Sequence, residues 1–318
     1  MAHELDPSLF QPAAVAAETQ RFNDMLEKAL AEVPTITELP PPVVREARRE
    51  GRSIFGEIRR LAHGEARTIP GPAGEIPLRI FRPARCRGAY LHFHGGGWAL
   101  GAEDQQDEGL DAVARATGLA AVSVGYRLAP EHPYPAGPDD CEAAALWLAR
   151  SAEEFGGSLL AIGGESAGAH LAAVTLQRLR ERHGLAPFRA ANLVYGCFDV
   201  GMTPSVRRWG SRNLVLSTPI VAQFADWFVP AARRAEPDVS PLFGDLRGMP
   251  RALFTVGTLD PLLDDSLFMA ARQRAAGSEA ELAGYPGGLH AFHAVPIPLA
   301  AEANRRILAF LQGALEER

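Results

Sequence analysis

The chain reads as an α/β protein with a mostly parallel central sheet, helices on both faces and a helical cap. Three observations carry that expectation. Short β-compatible runs at 76–82, 89–94, 119–125, 159–163, 192–195 and 252–257 alternate with helical stretches at 112–117, 140–154, 167–182 and 262–276, the pattern of strands joined by crossover helices. The later strands are apolar throughout, as strands buried on both faces are. A serine between two glycines, Ser166, follows one of these runs and opens the next helix.

The elements outside this alternation come first and late in the chain. Val15, Phe22, Met25, Leu26 and Leu30 recur every three or four positions across 11–30, and Ile54, Phe55 and Ile58 continue such a pattern across 43–61. Two amphipathic helices are expected there. Pro40, Pro41 and Pro42 form a stiff connection between them, suited to helices that lie over a core. The stretch 199–245 interrupts the alternation with Arg207, Arg208, Trp209, Trp227, several prolines and one helical segment at 220–228. It is too long for an ordinary connection. The expected division is therefore N-terminal cap helices over 1–62, the first part of the core over 63–198, a cap insertion over 199–245 and the second part of the core over 246–318.

Composition narrows the function. With 318 residues and 47% apolar content, one large core with an insertion needs no staples. The net charge is −6 and the arginines are scattered, so nucleic acid is not an expected partner. Cys86, Cys141 and Cys197 are odd in number and far apart, and read as free thiols of a reducing compartment. Glu4, Asp6, Glu18 and Asp24 interrupt the first thirty residues, and no later apolar run reaches bilayer length. A cytoplasmic chain without membrane insertion is expected.

Four motifs carry chemistry. Gly164-Glu165-Ser166-Ala167-Gly168 has the form of a nucleophile elbow: a serine on a sharp strand-to-helix turn needs neighbours without bulk two residues away on each side. The Ala167 amide, at the start of a helix, is free to donate to a developing oxyanion. A glycine-rich turn that merely contains serine is the competing reading. His94-Gly95-Gly96-Gly97-Trp98 follows a strand, and its successive N–H groups can face one anion. The glycine spacing and the missing Lys-Ser/Thr pair argue against a phosphate loop, and a plain flexible loop is the other reading; beside an elbow serine, acyl transfer needs a further amide from such a loop, so Gly96 and Gly97 are expected as oxyanion donors and His94 as a brace. His92 and His94 also form an H-x-H pair, but no third ligand stands in metal spacing, so no metal is expected.

The third motif, Asp260-Pro261-Leu262, follows a late strand, where an acid can orient a histidine at the sheet's carboxyl edge. Asp260 serves equally well, on local grounds, as the cap of a helix starting at Pro261. The fourth is Gly287-Gly288-Leu289-His290-Ala291-Phe292-His293, after a last short strand. A histidine on such a loop can reach back to the serine. His290 is preferred over His293 because it lies nearer the glycines.

Together with Tyr126-Arg127-Leu128-Ala129-Pro130-Glu131-His132-Pro133, these motifs resemble those of the bacterial hormone-sensitive-lipase family of esterases, family IV of the α/β-hydrolase superfamily, over most of the chain. The resemblance implies an α/β-hydrolase core with a helical cap, and Ser166, Asp260 and His290 as nucleophile, acid and base. It assigns the oxyanion hole to Gly96, Gly97 and Ala167, and makes 126–133 a structural signature near the site. It implies a small-molecule ester with a short to medium acyl chain as substrate, no cofactor, and homodimers in many members. Plant hormone receptors share the likeness without a working triad, and the histidine at 290 argues for turnover. A dehydratase or acyltransferase on the same site is the other alternative. Two positions depart from the pattern. Glu165 stands where the family more often has Asp or Thr, and His293 adds an imidazole beside the expected base.

Overall fold

The alternating runs form an eight-stranded sheet in the computed structural model, which describes residues 6–52, 56 and 58–316. The strands are β1 (Glu65–Gly71), β2 (Gly74–Phe81), β3 (Gly88–Phe93), β4 (Ala120–Val124), β5 (Leu159–Glu165), β6 (Phe188–Val194), β7 (Arg251–Leu259) and β8 (Ala280–Leu289). Their order is β1-β2-β4-β3-β5-β6-β7-β8. Every pair from β4 to β8 is parallel, while β2 runs antiparallel to both β1 and β4. All six residues of β3 and all five of β4 are buried, as strands covered on both faces must be.

The strand order reverses around β3, whose neighbours β4 and β5 follow it in sequence on opposite sides. The connections leaving β3 and β5 diverge there, opening a crevice at the carboxyl ends of the strands. The His94 loop leaves β3 and Ser166 leaves β5 at that point.

The helices are α1 (Ala17–Ala31), α2 (Pro41–Arg49), α3 (Asp107–Thr117), α4 (Ala136–Arg150), α5 (Ala167–His183), α6 (Pro204–Trp209), α7 (Thr218–Phe228), α8 (Leu263–Ala275) and α9 (Pro298–Glu316). α3 pairs with α9 over one face of the sheet, α4 pairs with α5 over the other, and α8 lies against β7 and β8. α5 is buried without interruption from Ala167 to Leu179, so it is a core helix that its alanines fit closely to the sheet.

Several elements differ from expectation. α2 stops at Arg49 because Gly51 turns the chain at φ +74, an ordinary glycine stop; Ile58 and Leu61 are not helical, and Ile54 and Phe55 lie outside the described residues. The prolines begin this helix, with Pro41 in its first turn, where a missing N–H costs nothing. β1 was not expected: Pro70 argues against a strand, but β1 is an edge strand, where proline is tolerated. β8 spans 10 residues instead of being short, and α6 and α9 are additional.

Candidate active site

β5 passes into α5 through Ser166, which sits at φ 55 and ψ −119, a conformation a side chain adopts only when its surroundings impose it. Those surroundings are tight. A Cβ on Gly164 would lie 2.1 Å from the Phe93 carbonyl oxygen, and one on Gly168 would lie 1.9 Å from the same atom. Only glycine lets the elbow pack this close to β3. The Ser166 hydroxyl lies 3.0 Å from Nε2 of His290, and Nδ1 of His290 lies 2.9 Å from Oδ2 of Asp260. Because the buried carboxylate accepts from Nδ1–H, Nε2 is left as an acceptor facing the serine.

Asp260 does not cap the helix, whose N-cap is Leu262. Its Oδ1 accepts from the Leu262 N–H at 2.9 Å, which fixes the turn, while Oδ2 faces His290. The helix begins at Leu263, two residues later than the proline suggested. His290 follows β8, Ala291 at φ 68 turns the chain beyond it, and the Tyr195 ring packs against its imidazole at 4.7 Å between centroids.

The glycine loop lies beside this row. Gly96 has φ +123 and Gly97 φ +58, and a Cβ on either would strike Leu100 backbone or the Phe224 ring within 2.4 Å. Among the described residues, no acceptor takes the N–H groups of Gly96, Gly97 or Ala167. His94 braces the loop: Nδ1 donates to the Gly95 carbonyl at 2.9 Å, and its ring stacks on Tyr126 at 4.3 Å. Tyr126 in turn donates to the His94 carbonyl at 2.7 Å. Burial pushes the His94 imidazole down to about 4, so it stays neutral at ordinary pH. From outside, Arg45 on α2 donates to the carbonyls of Ala99 at 2.7 Å and Ala129 at 2.9 Å and pairs with Glu131.

Residues 90–294 match the family model described as the alpha/beta hydrolase fold. The chain is 36% identical to "Carboxylesterase NlhH" of Mycobacterium tuberculosis over 253 residues, which is 76% of this chain and 79% of that protein. It is 34% identical to "Ethyl acetate hydrolase" of Pseudomonas putida, over 68% of this chain and 71% of that one. The chain belongs to the hormone-sensitive-lipase-like esterases of the α/β-hydrolase fold. A solved esterase from the archaeon Pyrobaculum calidifontis superposes with a TM-score of 0.85 at 29% identity, covering 92% of this chain and 97% of that one.

In this esterase a cavity of about 530 Å³ opens at Ser166. Trp98, Val215, Leu216, Val221, Phe224 and Leu262 line an apolar part. Trp98 of the glycine motif and Phe224 of the insertion are its aromatic walls. Trp209 and Trp227 are not among its lining residues: Trp209 donates to the Arg212 carbonyl and Trp227 packs edge-on against Phe224.

The other part is polar and runs along the sheet face under α3 and α9. Both oxygens of Glu165 face Nε2 of His92, at 2.9 and 3.1 Å, and Gln106 donates to Oε2 at 3.2 Å. Nδ1 of His92 meets Ser123 at 3.2 Å. Burial would push the Glu165 carboxyl up, but attraction and hydrogen bonding from His92, with help from His293 and Gln106, hold it at about 2. The longer arm of Glu165 therefore reaches a histidine one strand away. Sequence reasoning missed His92 in this role, along with Gln106 and Tyr195. The H-x-H spacing related His92 only to His94; it is the register setting His92 opposite Gly163 that brings Glu165, two residues further on, to the same face. The ring nitrogens of His92 thus go to Ser123 and Glu165, and Nδ1 of His94 to Gly95. No group of three or more His, Cys, Asp or Glu among the described residues is arranged to hold a metal ion. No helix among them is long and apolar enough to cross a membrane.

Proposed function

We propose that the chain hydrolyses carboxylic esters of short to medium acyl length through an acyl-enzyme on Ser166. The observation that carries this is the unbroken row Ser166–His290–Asp260, with hydrogen bonds of 3.0 and 2.9 Å. A serine hydroxyl is a weak nucleophile at neutral pH, so His290 takes its proton during attack and returns it to the leaving alcohol. Asp260 keeps the imidazole in the productive tautomer and stabilises its cation. The carbonyl oxygen, negative in the tetrahedral intermediate, accepts from the amides of Gly96, Gly97 and Ala167, which have no other acceptor among the described residues. Water then repeats the cycle on the acyl-enzyme, with His290 as base.

The N-terminal helices α1 and α2 and the insertion over 199–245 act in this reading as a cap that dries the site, since Phe224 from the insertion sits over Gly97. The apolar part of the cavity takes the acyl chain, and its limited volume favours short to medium lengths over long ones. Three free thiols suit a reducing cytoplasm, and a homodimer is to be checked by light scattering. The deciding experiment compares wild type with Ser166→Ala on p-nitrophenyl butyrate and treats both with a fluorophosphonate. Turnover and covalent labelling are expected in wild type alone; full activity in the variant refutes the mechanism.

A further inference from the structure

The polar part of the cavity contains two groups that the hydrolytic cycle does not use. Glu165 and His293 keep 14% and 15% of their side chains accessible, and both line the cavity. The Tyr195 hydroxyl and Nδ1 of His293 share a short hydrogen bond. With Nδ1 accepting, the proton of the neutral ring resides on Nε2. That N–H lies 4.0 Å from Oε1 of Glu165. The opposite tautomer would set a lone pair against the carboxylate, so Glu165 favours the same arrangement. Backbone fixes the rest: Asn304 donates to the His293 carbonyl at 2.9 Å.

A separation of 4.0 Å is too long for a direct hydrogen bond between the two. It suits an oxygen at about 2.8 Å from each, bridging them at roughly a right angle. The two groups are of opposite kind, since the carboxylate only accepts and the Nε2–H only donates. A hydroxyl satisfies both at once, giving its proton to Glu165 and accepting from His293. An ether or carbonyl oxygen can use only the donor, and an ammonium only the acceptor. Esters without a polar group would leave a buried carboxylate edge against hydrocarbon, which is unfavourable.

We propose that Glu165 and His293 form a hydroxyl-binding subsite, so that the preferred substrates are esters carrying a hydroxyl on the part of the molecule that enters this arm. This rests on Ser166 being the nucleophile of the same cavity. His293 and Glu165 are then specificity-determining residues, and Tyr195 positions His293 by fixing its tautomer. The hydroxyl belongs to the acyl group or to the alcohol, and matched esters tell the two apart.

The test measures kcat/KM by pH-stat for ethyl butyrate, ethyl 3-hydroxybutyrate and 2-hydroxyethyl butyrate. One hydroxylated ester is expected to exceed ethyl butyrate by about tenfold, the size of one net hydrogen bond. In His293→Phe that ratio is expected to fall to about one. His293→Asn, whose shorter amide can still accept from Tyr195 but falls short of Glu165, gives the same readout should the phenylalanine disturb folding. A ratio near one in wild type for both hydroxylated esters overturns the subsite, as does a preference that survives in both variants. Cleavage of any of the three esters reports on Ser166 separately. If none of the three esters is cleaved, the nucleophile reading falls and takes the subsite with it; cleavage without a hydroxyl preference overturns the subsite alone.

Discussion

Ser166 at φ 55 holds a strained backbone that pays off in direction: the turn aims its hydroxyl at an imidazole whose far nitrogen is already committed to Asp260. Removing the charge that fixes the tautomer should cost more than removing a contact. Asp260→Asn is therefore expected to lower kcat on p-nitrophenyl butyrate by roughly ten-thousandfold, with an unchanged circular-dichroism spectrum, because the amide oxygen can still accept from Leu262. A fall of less than about tenfold would remove Asp260 from the mechanism. Ser166 was legible in the sequence through a local steric reason, the glycines that flank it, whereas Asp260 and His290 were singled out by the family resemblance, Asp260 reading locally as a helix cap as well. The partner of Glu165 was not legible. His92 meets it only through the register that sets His92 opposite Gly163 and Phe93 opposite Gly164, and register is a property of two strands that neither strand's sequence states alone.

At the scale of elements, the elbow and the glycine loop work because β3, β5 and α5 approach closer than side chains allow. Gly168→Ala places a methyl at 1.9 Å from the Phe93 carbonyl oxygen, backbone against backbone, which cannot be relieved by a rotamer change. A loss of about 3 kcal/mol in urea unfolding is expected, and a stability within error of wild type would show that the elbow has room to spare. The Arg45 latch ties α2 to two loops, at Ala99 and Ala129, without touching the cavity floor. Arg45→Ala should loosen the loop that carries Gly96 and Gly97. kcat is expected to fall about tenfold with little change in KM, since misplaced donors weaken the transition state more than the ground state. A rise in KM with kcat unchanged would point to a binding role instead. Helix and strand positions were read well where periodicity was strong and poorly where a single residue decided. α9 is the opposite case: Ala303, Ile307, Phe310, Leu311 and Ala314 are buried at helical spacing, a pattern present in the sequence and not used. α2 ended early because Gly51 overrode the apolar residues beyond it.

The molecule as a whole is held across its layers by buried imidazoles that must stay neutral. His170 lies on α5, accepts at Nδ1 from the Trp98 indole at 3.0 Å and donates from Nε2 to the Val239 carbonyl at 2.7 Å. It thereby joins the glycine loop, the central helix and the insertion. A second proton would set an N–H against the indole N–H, and burial holds the group down at about 4, from an ordinary value of 6.5. A folded-state value below the unfolded one means that the unfolded chain binds the extra proton first. The stability that His170 contributes is complete above pH 6.5 and is lost as pH falls from 6.5 towards 4. For one fully buried site the loss approaches about 3 kcal/mol. Glu165, held at about 2 against an ordinary 4.5, gives up its contribution only below pH 4.5. Asp265, which burial pushes up to about 7, acts in the opposite direction and gains stability as pH falls through the same window. Comparing His170→Gln with wild type cancels both carboxyls. The amide can accept from Trp98 and donate to Val239 without titrating, so urea midpoints for wild type should fall relative to the variant between pH 6.5 and 4 and stay parallel above pH 7. Parallel curves over the whole range would mean that His170 takes its second proton in the fold as readily as in the unfolded chain, which the indole N–H facing Nδ1 opposes.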